Sequence, residues 1–192
     1  AAARTNAPGK IHVVDSLNAS HGQGQLAVLA AECAEAGLDV KTTLAAVRAQ
    51  IPKTRTYAIL SDLRYAVRGG RLPRWVKSIA DFLRLNPIIC TTREGRVSLC
   101  GFMLGSYNRI ERFAKSVTRR APTGPVEIGI GHAICKDDAL ELENHLRELI
   151  PDIRKLVVTG LGTGIGVHGG PRTLLVSIRP YFSAQDVARG AD

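Results

Sequence analysis

The amino-acid sequence predicts a mixed α/β fold built from two units. Apolar residues at helical spacing alternate with short β-branched runs, the pattern of helices packed on a sheet. Residues 1–54 hold one strand and two helices, too little for a complete sheet, and are interpreted as a piece of a parallel α/β layer. Residues 55–182 hold enough strands for their own mixed or antiparallel sheet with helices, and residues 183–192 form a tail. A chain of 192 residues is long enough for one large domain or two small ones.

The first unit is predicted to contain one strand and two helices. Residues 11–14 are rich in β-branched side chains and predict a short strand. Residues 22–36 place apolar side chains at helical spacing, and Gly37 ends this helix. Asp39 is a suitable N-cap for a second helix, which Pro52 ends.

The second unit is predicted to begin with a strand at residues 56–60 and a short helix at 62–67 that ends at a glycine pair. A wide apolar stripe predicts a helix over residues 72–85. Residues 87–91 and 96–102 predict two strands, and the Arg-Glu-Gly turn between them indicates a hairpin.

Further helices and strands complete the second unit. A basic helix is predicted to start at Ser106, a strand to span residues 125–132, and a helix with inward-facing leucines to span residues 136–150. Two more strands flank a glycine-rich segment at residues 160–171. Residues 184–192 are predicted to be a frayed tail.

The glycine-rich segment at residues 160–171 holds six glycines and one histidine, His168. Glycine lets a ligand approach the backbone closely, and exposed N–H groups can hold an anion. Three of the glycines match G-x-G-x-x-G, but a dinucleotide site needs a helix behind them, and residues 173–178 predict a strand. We therefore predict no nucleotide site. Two interpretations stay open: a strand-to-strand turn around a buried histidine, or an anion-binding loop.

Basic residues are concentrated in the middle of the chain. The net charge is +9, and residues 61–120, with 13 Lys or Arg and 4 Asp or Glu, account for all of it. A basic surface attracts acidic proteins, nucleic acid or anionic lipid, although it also serves solubility. Only Tyr65 and Trp75 lie among the first basic residues, so no stacking platform for single-stranded nucleic acid is indicated.

The composition indicates a cytoplasmic protein without a metal site. The four cysteines stand far apart without a C-x-x-C pair, so we expect reduced thiols. His132 and Cys135 lack a second pair of ligands, which argues against zinc. No apolar run approaches the roughly 20 residues that cross a bilayer. The first residues also lack the apolar core of a signal peptide.

Four motifs follow one another along the chain. They are D-S-x-x-x-S-x-G-x-G at residues 15–24, Y-x-x-x-x-x-L-x-x-x-x-x-G-G-R at 57–71, N-P-I at 86–88 and G-x-G-x-H-x-G-P at 164–171. In this order and spacing they resemble the DegV family of bacterial fatty-acid-binding proteins, which includes the binding subunit of fatty acid kinase. The resemblance covers nearly the whole chain and makes residues 1–54 the C-terminal portion of the family's first domain.

The resemblance implies two α/β domains with one long-chain fatty acid in an apolar tunnel between them. The carboxylate would be presented to a partner kinase, which converts it to an acyl phosphate; the chain itself would have no catalytic residue and no cofactor. Transient contact with a membrane surface is compatible with the basic segment. The implied ligand-binding residues are Ser16, Ser20, Ile79, Phe82, Ile165, Gly166, His168, Gly169 and Gly170, with Trp75 and Leu83 also on the acyl side. The predicted partner-binding residues are Arg71, Arg74, Arg109 and Arg112.

The chain departs from the family pattern in three places. Two hydroxyl-rich motifs that hold the carboxylate in the family's first domain are not in this sequence, so we expect the most direct head-group contacts to lie outside it. The family often has a basic residue where this chain has the apolar residues 103–105, which weakens the case for the kinase reaction without removing the kinase as the predicted partner. Arg172 stands where a glycine is usual.

Two other functions stay open from the sequence. One is an enzyme acting on a small anionic metabolite with His168 as acid or base, which needs a second titrating group such as Asp15 or His132. The other is a nucleic-acid-binding protein attracted by the positive charge, with a steep salt dependence. We favour the fatty-acid-binding protein and expect no nucleic-acid partner.

Overall fold

A computed structural model describes residues 11–82, 85–105 and 107–189 of the protein. Its strands are β1 (Arg55–Ile59), β2 (Leu85–Thr91), β3 (Val97–Leu104), β4 (Val126–His132), β5 (Ile153–Gly160) and β6 (Leu174–Pro180). They form one six-stranded sheet in the spatial order β3-β2-β1-β6-β4-β5. β4 and β5 run parallel, and the other neighbouring pairs are antiparallel. The predicted mixed α/β fold is confirmed.

Helices cover both faces of this sheet. In the described chain they are α1 (His21–Glu35), α2 (Val40–Gln50), α3 (Leu63–Arg68), α4 (Arg74–Phe82), α5 (Arg109–Thr118), α6 (Lys136–Leu149), α7 (Thr163–Gly169) and α8 (Ala184–Arg189), with a 3-10 turn at Ile51–Lys53.

Side chains along a strand alternate between the two faces of the sheet, so each face has its own apolar side chains to bury. A different set of helices covers each face. On one face, Phe113 of α5 and Leu142 of α6 pack against Ile128 and Ile178. On the other face, α3 and α4 cover β1 and the start of β6, while α1, α2 and α8 share a cluster around Leu29. α1 also packs on β4 and β6. The division of the chain at residue 54 stays a prediction.

A buried ion pair lies where α1 covers the sheet. Arg179 of β6 and Glu127 of β4 have side chains 1% and 5% exposed, and Arg179 Nη2 donates to Glu127 Oε2. Gln25 Nε2 donates to the Glu127 backbone oxygen at 3.2 Å. Burial raises the pKa of Glu127, and the Arg179 cation opposes this shift. The pair links β4 to β6. Removing either partner would leave the other charge buried and unpaired, which is strongly destabilising.

Two predictions at the ends of the chain are wrong. Residues 11–16 are irregular rather than a strand, because no strand of the described chain pairs with their backbone groups. The predicted frayed tail contains α8. The Ser183 backbone N–H and hydroxyl donate to Asp186 Oδ2 at 2.9 and 2.7 Å, which caps the helix. Ala184 and Val187 are buried against α1 and α2.

Other predicted boundaries shift by a few residues. The helix predicted over residues 72–85 is α4, which ends at Phe82, and Leu85 already belongs to β2. The predicted helix start at Ser106 lies outside the described residues. α5 begins at Arg109, after Asn108 in a left-handed conformation with φ 46°.

Candidate functional site

The glycine-rich segment contains the seven-residue helix α7, which corrects the predicted strand-to-strand turn. Gly166 N–H bonds to Gly162 O at 2.9 Å, and Gly170 N–H bonds to Gly166 O at 2.8 Å. Glycine disfavours helices, so sequence alone favoured a turn, but packing against α3 supports the helix. Gly170, with φ 75°, ends the helix in a conformation that suits glycine. The strand that was predicted to follow the glycine-rich segment is β6.

The close packing of α7 on α3 depends on two glycines. A Cβ on Gly69 would lie 2.1 Å from His168 Nδ1, and a Cβ on Gly170 would lie 2.4 Å from Tyr65 Cδ2. Neither position therefore accepts a side chain without movement of its neighbour. The G-G-R motif thus places the His168 ring over the end of α3.

A cavity of about 260 Å³ lies between α7, α3 and the sheet. α7 contributes Gly164, Ile165, His168 and Gly169 to its wall. The rest of the wall is mostly apolar and includes Ala19, Ala58, Leu60, Ala66, Ile89, Val97 and Leu175. A concave, apolar site with a few placed polar groups is the usual form of a small-molecule site.

Two residues of the cavity wall each have a buried polar atom that lacks a protein partner. His168 Nδ1 and Thr173 Oγ1 are buried, and neither hydrogen-bonds to any described residue. Gly169 packs on Thr173, since a Cβ on Gly169 would lie 2.8 Å from Thr173 Oγ1. Arg71 also lines the wall, and its Nη1 donates to Gly69 O at 2.9 Å. An unpaired buried polar atom costs free energy, so this end of the cavity suits a ligand with a polar group.

The loop at residues 15–24 contributes Ala19 to the cavity wall. Ser16 Oγ donates to Asn18 O at 3.2 Å in a local turn. Ser20 Oγ lies 3.3 Å from His21 Nδ1, and Ser20 has φ 53°. Neither serine is part of the wall.

His21 fixes the start of α1 on the sheet. Its Nε2 lies 2.9 Å from Thr159 Oγ1. The ring packs on β4 where glycines leave room, since a Cβ on Gly129 would lie 2.5 Å from His21 Cβ. Burial lowers the pKa of His21, so the imidazole is neutral at neutral pH.

The predicted residues of the glycine-rich segment divide into two groups. Ile165, His168 and Gly169 line the cavity. Gly166 and Gly170 belong to the same segment but not to the wall; Gly166 lies within α7, and Gly170 follows its last residue.

The structure describes only some of the α4 residues that were predicted to contact the acyl chain. Leu83 and the side chains of Ile79 and Phe82 lie outside the described residues. Trp75 is 59% exposed and does not line the cavity.

The predicted partner-binding arginines occupy different environments. Arg71 lines the cavity. The Arg109 side chain is only 14% exposed. Arg112 Nη1 donates to Leu104 O at the end of β3, and Arg74 is exposed at the start of α4.

Sequence reasoning missed Thr173 as a site residue. Its only sequence signal is its place just after the glycine-rich segment. The enzyme hypothesis needs a second titrating group beside His168, and the sequence offered Asp15 or His132. Neither residue lines the cavity. Asp15 Oδ1 instead accepts the Leu17 N–H at 2.9 Å. Asp15 and His132 therefore do not supply the acid–base partner of His168 that the enzyme hypothesis requires.

The remaining chemistry-bearing groups of the described chain are dispersed. No three His, Cys, Asp or Glu side chains within it are arranged to hold a metal ion. Its four cysteines are unpaired, and burial raises the pKa of Cys100 to about 12. Within the same residues, no helix combines the length and the apolar character needed to cross a membrane.

The fold and the cavity define an α/β protein with an apolar cavity under a glycine-rich helix. The chain belongs to the DegV family, because the family model described as "Uncharacterised protein, DegV family" matches residues 1–180. This confirms the resemblance found in the four motifs.

The chain is similar to several proteins described as DegV proteins or as fatty-acid-binding proteins. A DegV domain-containing protein of Streptomyces coelicolor is 30% identical over 92% of this chain and 62% of its own length. A fatty acid binding DegV family protein of Streptococcus agalactiae is 26% identical with a TM-score of 0.79, covering 94% of this chain and 63% of its own. The Fatty Acid Kinase (Fak) B3 protein of Streptococcus pneumoniae, loaded with linoleic acid, is 19% identical with a TM-score of 0.80. This match covers 90% of this chain and 60% of that protein's chain. The chain spans about three fifths of the length of the curated relatives it matches.

Proposed function

We propose that this chain binds one long-chain fatty acid, with the acyl chain in the cavity and the carboxylate near His168, Thr173 and Arg71. The observation that carries the proposal is an apolar cavity lined by His168, Thr173 and Arg71, in which His168 and Thr173 each have a buried polar atom without a protein partner. The His168 imidazole and the Thr173 hydroxyl would donate to a carboxylate, and Arg71 would add positive charge. The fatty-acid-binding relatives support the same ligand class.

The energetics favour such a ligand. Each CH₂ group removed from water contributes about 0.8 kcal/mol, so a long acyl chain supplies most of the affinity and a few polar contacts suffice for orientation. Ile165 would contact the acyl chain. Gly166, Gly169 and Gly170 would let α7 approach it closely.

The remaining predicted contacts are kept as part of the proposed site. Ser16 and Ser20 flank Ala19, which lines the cavity. Ile79 and Phe82 belong to α4, whose described residues Val76 and Ala80 pack in the cluster beside the cavity. We propose these four as further ligand contacts. No cofactor is proposed.

We also propose that the bound carboxylate is presented to a partner kinase, which forms the acyl phosphate, and that the chain itself is not an enzyme. The similarity to a fatty acid kinase B protein supports this partner. Arg71 at the cavity and Arg74 on the exposed surface would attract an acidic kinase surface, with Arg109 and Arg112 nearby in the basic segment. Cytoplasmic location and transient membrane contact belong to the same proposal.

Native mass spectrometry of the purified chain tests the ligand. We expect one bound acyl chain per molecule, and release of that mass as a free fatty acid on denaturation. A chain that carries no fatty acid and takes none up from an oleate solution would contradict the proposed function.

A further inference from the structure

Two of the four cysteines are neighbours in the β2–β3 hairpin. Cys90 lies in β2 and Cys100 in β3, and both thiols are free and half-buried. Both side chains pack against the apolar cluster under α5 and α6. The Cys100 thiol is within hydrogen-bonding reach of the Cys90 sulfur, and its sulfur lies 3.5 Å from Ile88 O. Strand pairing therefore brings together two thiols that the sequence separates.

An irregularity in the strand pairing accounts for this closeness. Leu99 of β3 pairs with Ile89 of β2, whereas the next pair along β2 involves Gly101. Cys100 is therefore an extra residue in β3, and such a bulge changes the direction of a side chain. It moves Cys100 along the strand toward Cys90, compared with its place in a regular ladder.

The position of β3 leaves room for the two sulfurs to approach further. In the described sheet β3 is an edge strand whose one neighbour is β2. A disulfide has a bond of about 2.05 Å between the sulfurs and requires nearby Cβ atoms. Two thiols already within hydrogen-bonding reach need a small shift to satisfy this geometry, and an edge strand is held on one side only.

The surroundings of the pair give the two thiols different roles. Burial, together with the hydrogen bond to Cys90 and its charge, raises the pKa of Cys100 to about 12. Cys100 therefore keeps its proton at neutral pH. Arg120 Nη2 donates to Cys100 O at 2.9 Å, which holds a positive charge beside the pair. A thiolate is the nucleophilic form of cysteine, so we assign the attacking sulfur to Cys90 and the proton-carrying one to Cys100.

We propose that Cys90 and Cys100 are an oxidisable dithiol that a hydroperoxide converts to an intramolecular disulfide. The Cys90 thiolate attacks one peroxide oxygen, the O–O bond breaks, and Cys90 becomes a sulfenic acid. With hydrogen peroxide, the departing hydroxide takes up a proton and leaves as water. The Cys100 sulfur then attacks the Cys90 sulfur, the S–O bond breaks, and the hydroxide that leaves takes the Cys100 proton. The two sulfurs lose two electrons, the peroxide gains them, and two water molecules are formed.

The disulfide would lie at the wall of the cavity. Ile89 and Cys90 of β2 and Val97 of β3 line the cavity. A bond from Cys90 to Cys100 would join the two strands that carry these residues, and a crosslink of this kind restricts the chain that it closes. Oxidation would therefore constrain one wall of the cavity, whatever ligand the cavity binds.

Peptide mapping after peroxide treatment tests the pair. The full chain is reduced, freed of reductant, treated with a small excess of hydrogen peroxide and alkylated with iodoacetamide. We expect a loss of about 2 Da before alkylation and a peptide linked through Cys90 and Cys100. Alkylation should then reach Cys33 and Cys135 only, once the chain is unfolded. Dithiothreitol should restore the original mass.

Three variants separate the roles of the two sulfurs. Cys90→Ser should form no disulfide and no sulfenic acid in the hairpin. Cys100→Ser should stop at a sulfenic acid on Cys90, which dimedone traps. Cys33→Ser is the matched control, because Cys33 is buried in a different cluster, and it should form the disulfide as the wild type does. Thermal melts confirm that each variant is folded.

Full alkylation of Cys90 and Cys100 after peroxide treatment of the wild type would overturn the proposal. So would a sulfinic acid in place of the disulfide, or a disulfide that links two molecules. The wild-type map gives this answer even where a variant fails to fold. Because the mapping needs no ligand, a failure here is distinct from a failure to find fatty acid in the same sample.

Discussion

Gly69 and His168 are packed so closely that a Cβ on the glycine would lie 2.1 Å from the histidine Nδ1. No described residue hydrogen-bonds to that nitrogen. The ring is therefore positioned by the shape of the chain after α3 rather than by a hydrogen bond. Because Nδ1 faces Gly69, a side chain at position 69 would act directly on the ring.

Replacing Gly69 with alanine should displace the His168 ring while leaving the fold intact. We expect Gly69→Ala to weaken fatty-acid binding by about tenfold, with a smaller effect on stability because the two closest atoms belong to the His168 side chain and the backbone Tyr65 O lies farther away, at 3.2 Å. Displacement of a fluorescent fatty acid measures the affinity. Gly24→Ala is the matched control, because Gly24 lies in α1 with open space around its Cβ position. Equal affinity of both variants would show that the ring position does not matter.

Replacing Thr173 with valine should weaken ligand binding while it raises the stability of the ligand-free protein. The variant removes an unpaired buried hydroxyl, so the ligand-free protein should gain about 1 kcal/mol of unfolding free energy. Fatty-acid affinity should fall by about fivefold, because one donor to the carboxylate is lost. Urea unfolding and the fluorescent displacement assay measure the two quantities.

Thr54→Val is the control for that experiment. The Thr54 hydroxyl is buried and donates to Gln50 O at 2.9 Å, so its loss should lower stability without changing affinity. If Thr173→Val binds as tightly as the wild type, the Thr173 hydroxyl is not a ligand contact.

His21 should make the fold sensitive to acid. Burial lowers its pKa in the folded chain below the unfolded value of about 6.5. Between these two values the unfolded chain binds more protons, so stability falls as the pH drops below about 6.5. We expect the unfolding free energy to decrease from about pH 7.5 to about pH 5.5, and to decrease less in His21→Gln.

Urea titrations at both pH values measure this difference, and the exposed His12 supplies the control. His12→Gln should retain the wild-type pH dependence. The same pH dependence in His21→Gln and wild type would contradict a role for buried, neutral His21.

Local sequence signals predicted much of the secondary structure correctly. The Asp39 N-cap is confirmed, since its Oδ1 accepts the Thr42 N–H at 2.7 Å. The predicted hairpin is the antiparallel pair β2–β3. These features depend on contacts within a few residues, which sequence patterns report directly.

The wrong predictions involve segments whose state depends on distant partners. Residues 11–14 have strand-like side chains, but a strand needs a neighbour to pair with. The glycine-rich segment has a low intrinsic helix preference, yet it is helical where it packs on α3. Ala184 and Val187 look like tail residues in the sequence, yet they are buried against α1 and α2.

The sequence by itself determined the family and the α/β class and made His168 a candidate ligand contact, because these rest on motifs, periodicity and residue chemistry. Only the tertiary structure decided that His168 and Thr173 line one apolar cavity and that His168 Nδ1 and Thr173 Oγ1 lack protein partners. Burial, hydrogen-bond satisfaction and backbone strain are properties of the packed chain, so a linear pattern does not contain them.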